Sequence, residues 1–204
     1  MAILKLDDEY NVDWARQQGS SVWTVGKNIV LDSQDTAYVL GSTKGDVGGD
    51  KAQTWGTDLF LMKVLPNGEI EWTRQYGTTY DESLGGIALT EDSVIIVGDS
   101  FGLPDGSTSE KDSEIFMAKF GLDGAPGSVK TWGSTNTDHA SGVATDSANN
   151  IYIVGTTYGD LEGTNAGTGD MFAAKFDENF DPIWVRQMGT TSFDALYAVA
   201  AHPD

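Results

Sequence analysis

The chain has 204 residues, 39% of them hydrophobic and 10% aromatic, which is enough for a sizeable core in one domain or repeat array and excludes a disordered composition. Its 31 acidic against 12 basic residues leave a formal net charge of -19. That balance argues against nucleic acid and anionic membrane surfaces, both held by positive patches. With no cysteine, disulfides, zinc thiolate sites and Cys nucleophiles are excluded too.

In chain order, Ala2 to Leu6 (AILKL) predicts a first short strand, and Trp14 to Gly19 (W-x-R-Q-x-G) a second. YVLGSTKGDVGG from Tyr38, DLFLMKV from Asp58 and a second W-x-R-Q-x-G at Trp72 to Gly77 complete one unit. The next unit runs through LGGIALTED from Leu84, VIIVGDSFGLPDG from Val94 and EIFMAKF from Glu114. It ends on a decayed version of the Trp strand, Val129-Lys130-Thr131-Trp132-Gly133. A third unit follows: SGVATDSAN from Ser141, IYIVGTTYGDLEG from Ile151, DMFAAKF from Asp170, and Trp184 to Gly189. The chain then reaches LYAVAAHPD from Leu196.

These segments are internal repeats. Gly41, Gly98 and Gly155 stand 57 residues apart, and Lys63, Lys119 and Lys175 stand 56 apart, with Lys5 preceding them by 58. Each segment is short, roughly alternating, rich in β-branched and aromatic residues, and bounded by turn residues such as Pro66-Asn67-Gly68 and Asp123-Gly124. Helical periodicity is nowhere sustained. Four short strands repeated at this interval predict an all-β fold, a β-propeller of four-stranded antiparallel blades. The small-residue run is assigned to the innermost strand, so a blade reads A (as 195–201), B (151–157), C (170–177), D (183–188). The chain 1–204 becomes a single propeller domain with a split blade at 1–19 and 190–204 and whole blades at about 20–77, 78–133 and 134–189. This register favours a four-bladed closure, although strand B of the split blade is missing. The alternatives are a homodimer sharing a larger ring and a fragment of a longer propeller.

The pattern D-x-x-N-x-Y-x-x-G-x-T-x-G-x-L-x-G, then G-D-x-F-x-x-K-x-D, then W-x-R-Q-x-G, fullest over residues 146 to 189, resembles the bacterial β-propeller repeat called SBBP. The resemblance implies bacterial proteins that are extracellular or at the cell surface. It carries the fold further than the function.

The repeated Lys5, Lys63, Lys119 and Lys175 follow the acids Asp58, Glu114 and Asp170 by five residues, and are read as blade architecture, as are the Arg-Gln pairs. Asp81, Asp138 and Asp194 precede strand A, where a short carboxylate can accept backbone N–H bonds and fix a turn; the first unit has Thr24 there. The B–C loops, Lys44 to Thr57, Gly102 to Ser113 and Gly159 to Gly169, are long, Gly-rich and acidic. Asp46, Asp50, Asp105, Asp160 and Glu162 make them candidate Ca²⁺ loops, without an EF-hand spacing. Loop aromatics Trp23, Trp55, Trp132 and Tyr158, with Tyr80 and Phe193, are candidate contacts for a protein or for the apolar face of a sugar.

Neither His139 nor His202 stands in a triad or an H-E-x-x-H pattern, and no nucleophile elbow or phosphate loop occurs. The expectation is a non-enzymatic binding or scaffold module engaging a protein or surface polymer through its loops, stabilised by Ca²⁺ if those loops bind it. A carbohydrate-binding lectin is the first alternative and a hydrolase using loop carboxylates the second. Met1 to Tyr10 shows no signal-peptide pattern, and no apolar run approaches the roughly 18 residues of a membrane span, so no membrane insertion is expected.

Overall fold

The computed structural model describes residues 1–48, 56–78, 80–102 and 113–202. Among them every regular element is a strand. A two-stranded sheet of β1 (Ala2–Leu6) and β2 (Val12–Gln17) opens the chain. Blade 1 follows as β3 (Thr24–Leu31), β4 (Ala37–Thr43), β5 (Asp58–Val64) and β6 (Ile70–Tyr76). Blade 2 is β7 (Glu82–Leu89), β8 (Ser93–Ser100), β9 (Glu114–Gly121) and β10 (Pro126–Trp132). Blade 3 is β11 (Asp138–Thr145), β12 (Ile151–Thr157), β13 (Asp170–Phe176) and β14 (Pro182–Met188). Each blade is an antiparallel meander in which sequence neighbours pair, so strands A, B, C and D lie in that order across the sheet.

The blades stack face to face. One cluster, with Tyr38, Leu59, Leu61, Ile96 and Phe116, joins blades 1 and 2, and a second, with Ile95, Met117, Ile153, Phe172 and Phe180, joins blades 2 and 3. The third sets Met1, Ile3 and Trp14 of the first sheet against Val39, Phe60 and Met62. Because the middle strands are covered on both faces, β4 and β8 are buried at every position instead of alternating. Every large apolar side chain so buried contributes about 1.5 to 3 kcal/mol. The inner strand β7, flanked on both sides, is buried almost throughout, whereas β3 is mostly exposed.

The segment 195–201 differs from expectation: it forms no strand. It does follow the course of an inner strand beside blade 3. Asp194 N donates to Gly169 O at 2.9 Å, just as Glu82 N donates to Thr57 O at 3.0 Å and Asp138 N to Ser113 O at 2.9 Å where blades 2 and 3 begin. An inner strand needs a B strand to complete its ladder, and none pairs with this segment among the described residues. On the other side, β1 pairs with β2 alone. The two parts of the split blade therefore share no sheet, and the four-bladed closure is not made by strand pairing. Leu4, Leu6, Ile29 and Leu31 stay exposed around the open edge.

Candidate functional site

The described parts of the B–C loops and of the corners from strand D to strand A lie at one end of the blades, where strand A starts and strand B stops. The corners share one device: a hydroxyl residue donates its backbone N–H to a side chain four residues on. Ser20 bonds Thr24 at 3.1 Å, Thr78 bonds Glu82 at 2.9 Å, and Ser134 and Thr190 bond Asp138 and Asp194. In blade 2 the residue at this place is thus Glu82, whose longer side chain starts one position later than the expected Asp81. Asp81 instead accepts the Thr57 N–H at 2.7 Å. Burial drives the carboxyls of Glu82 and Asp138 above their ordinary range, although bonds from Thr78 and Ser100 to Glu82 and from Thr157 and Ser134 to Asp138 pull the other way.

The B–C loops are clamped from the outer strand. Gln187 Oε1 accepts from Leu161 N at 2.8 Å and Glu162 N at 3.1 Å, while its Nε2 donates to Gly159 O and Asp170 Oδ2, both at 3.0 Å. Gln75 repeats this in blade 1 with Val47 N, Gly45 O and Asp58 Oδ2. The repeated acids of strand C are therefore partners of the Gln in W-x-R-Q. Blade 2 carries Glu114 and Thr131 at these two places. The repeated lysines turn to other acids: Lys63 to Glu71 at 2.7 Å, Lys175 to Asp146 at 3.5 Å, and Lys5 to Asp13 at 3.9 Å. Lys63 also lies over Tyr38 and Lys175 over Tyr152, with Trp72 and Trp184 against the same tyrosines. Lys119 sits opposite Ile95, so that stack is absent from blade 2. Asp146 is held down to about 2: burial alone would raise it, but bonds from Asn150, Tyr152 and Ala148 outweigh that.

Of the candidate calcium ligands, Asp50 and Asp105 lie outside the described residues. Asp46 accepts Gly48 N at 2.8 Å, Asp160 accepts Asn165 N at 2.8 Å, and Glu162 pairs with Arg186 at 2.8 Å. Short carboxylates here serve as local turn-formers. Among the described residues no group of three or more His, Asp or Glu side chains converges as a ligand set.

The aromatics divide. Trp55 lies outside the described residues. Trp132 is not a loop residue but the end of β10, packed edge-on against Phe172 at 5.5 Å and Phe176 at 5.2 Å. Trp23, Tyr80 and Phe193 stand on the corners and Phe101 and Tyr158 at the ends of strand B, all 40% to 51% exposed. Phe101 was not singled out from the sequence; its place one residue after Ser100, matching Tyr158 after Thr157, was the available signal. Around blade 3 these rings meet. Tyr158 lies 6.2 Å from Phe193 and edge-on to His139 at 6.0 Å, and a shallow cleft is lined by Asn136, Thr137, His139 and Tyr158.

His139 Nδ1 contacts Asp99 Oδ2 at 3.0 Å, bridging blades 2 and 3, and the bond to Asp99 raises the histidine above its usual 6.5 despite partial burial. The folded chain then holds this proton more tightly than the unfolded chain. The pair's stabilisation is full below about 6.5 and fades as pH rises through the higher folded value. Buried Glu82 and Asp138, raised likewise, also make stability fall with rising pH, but a His139→Gln variant carries them too, so the difference between the two proteins reports on His139. Urea midpoints of the wild type are expected to fall relative to His139→Gln as pH rises above about 6.5. Parallel midpoint curves for the two proteins would remove the pair from this role.

Three antiparallel four-stranded blades stacked face to face, with loop groups at one end, define a protein of the β-propeller class. Residues 127–162 match the family model described as SBBP, beta-propeller repeat, so the chain carries a repeat of that type. No curated protein matches the chain. Among solved structures it is similar to a variant of the Synechocystis apocarotenoid oxygenase at 13% identity and a TM-score of 0.43, over 90% of this chain and 43% of that one. It is also similar to the cobalt-substituted Synechocystis enzyme at 14% identity and a TM-score of 0.40, over 76% and 35%. The chain thus spans less than half the length of either.

Proposed function

We propose that this chain is a non-enzymatic binding module of the bacterial surface or exterior that engages a protein or a surface polymer through the loop end of its blades. The observation that carries the reading is the row of exposed rings, Trp23, Tyr80, Phe101, Tyr158 and Phe193, on corners that carboxylates and hydroxyls hold in place. Rigid aromatic side chains lose little entropy on docking and bury large areas, which is why such residues dominate binding surfaces. The net charge of -19 suits a partner with basic groups around an apolar contact. The amide of Asn136 and the hydroxyl of Thr137 beside the Tyr158 ring favour a second reading, a carbohydrate ligand stacked on an aromatic face.

Arrays of bacterial surface proteins and of polysaccharides distinguish the two. Binding to at least one immobilised species is expected, weakened about 30-fold or more by Tyr158→Ala with Phe193→Ala, since hot-spot aromatics carry about 2 kcal/mol or more. Ile183→Ala, on the outer strand, is the matched control and is expected to leave binding unchanged. Binding indifferent to both rings, or catalytic turnover of the bound polymer, would overturn the proposal.

A further inference from the structure

The outer rim of every junction between sheets holds one ring. Trp14 of β2 lies over Gly68, in the turn between strands C and D of blade 1, and its Nε1 donates to Pro66 O at 2.8 Å. A Cβ on Gly68 would come within 2.6 Å of that indole. Trp72 of β6 lies over Gly124 of blade 2 in the same manner and donates to Leu122 O at 3.3 Å. Both glycines have φ of +80°, where a side chain costs about 1 kcal/mol even before the clash.

The third junction reverses the sizes. Ser128 stands two residues before Lys130, as Trp72 stands two before Arg74, so blade 2 offers no ring. The turn it faces in blade 3 has Phe180 where the others have glycine, at φ of 63° and buried in the cluster joining the two blades. Tryptophan meets glycine twice and serine meets phenylalanine once. At none of these three rim positions does a ring of one sheet meet a ring in the C–D turn of the next.

The third tryptophan of this kind, Trp184 of β14, is on the free outer face of blade 3. It contacts Tyr152 in its own sheet, and its Nε1 has no hydrogen-bond partner among the described residues. The remaining turn of this kind lies between β1 and β2, where Tyr10 N bonds Asp7 O as Gly68 N bonds Leu65 O and Gly124 N bonds Gly121 O. Tyr10 therefore occupies the glycine position, at φ of 65° and 84% exposed. Placing the first sheet after blade 3, within one chain or between two copies, would set Tyr10 against Trp184.

We infer that the outer face of blade 3, centred on Trp184, is a docking surface for a further blade of the same repeat whose C–D turn carries glycine at the left-handed position. Tyr10 bars this chain's own first sheet from that place. The incoming turn supplies a carbonyl two residues before its glycine to the Trp184 indole, as Pro66 and Leu122 do for Trp14 and Trp72. Asp194 to Ala201 already follow the inner path of such a blade, tied to Gly169 as blades 2 and 3 are tied to their predecessors.

Tyr10→Gly tests this directly, because glycine accepts the turn's φ and so leaves the fold intact. The wild-type chain is expected to sediment at its monomer mass of 21.8 kDa, with the half-buried Trp184 still labelled by hydroxyl radicals. Tyr10→Gly should protect Trp184, whether by closing on itself or by self-associating about tenfold more tightly than wild type. Tyr10→Gly with Trp184→Ala should return to wild-type association. Protection of Trp184 in the wild type, or unchanged labelling in Tyr10→Gly, would overturn the inference.

Discussion

Replacing Gly98 by alanine is expected to lower the free energy of unfolding by about 3 kcal/mol and the melting temperature by roughly 6 to 12 °C. Gly98 lies on β8 opposite the bulge of β7, where the register shifts between Leu84 and Gly86. A Cβ there would overlap the Ser83 carbonyl oxygen and approach the buried Phe116 ring to 2.7 Å. One neighbour is backbone in a ladder and the other is locked in the core, so neither can yield cheaply. Gly41 and Gly155 face the same pair, a strand-A carbonyl and the phenylalanine of strand C, Phe60 and Phe172. Gly19→Ala is the control, with no neighbour closer than 3.6 Å to the added atom, and should change stability by less than about 0.5 kcal/mol. Urea unfolding of the two variants is the measurement. Equal midpoints would mean that the bulge relaxes and that the 57-residue glycine spacing has another cause.

Asp170→Ala is expected to cost about 3 kcal/mol, because a buried carboxylate that accepts several bonds cannot be deleted without orphaning its donors. Asp170 is 2% exposed and accepts from Ala166 N and from Gln187 Nε2, both at 3.0 Å. Gln187 in turn holds Leu161 and Glu162, so the loss should also speed amide exchange across 159–166. Gln187→Ala acts on the same clamp. The double variant should be less destabilised than the two single effects added together, with a coupling of about 1 to 2 kcal/mol. Strict additivity would show that acid and amide act separately and that the loop is held by something else.

The strands, their order and the glycine spacing were legible in sequence because a blade is a local meander, and local periodicity and turn residues specify it. Recognising that the Arg-Gln motif is architectural was possible from repetition alone. Its mechanism was not, since Gln187 and Asp170 become neighbours only once strands C and D pair. The place of Glu82 rather than Asp81 escaped the sequence for a related reason: Glu82 lies opposite Ser100 as Asp138 lies opposite Thr157, a register that exists only once strands A and B pair. Trp132 looked like a loop residue because its motif has decayed, and only the pairing of β10 with β9 turns its ring into the core.

By itself the sequence determined an all-β repeat of four-stranded units, a strongly acidic net charge, and the positions that recur. Tertiary structure decided which recurring residues touch across blades, that 195–201 remain outside any sheet, and that ring sizes on the rim are matched in pairs. Those properties depend on faces brought together by stacking, where shape must be complementary across chain separations of about 50 residues. No single repeat contains that information.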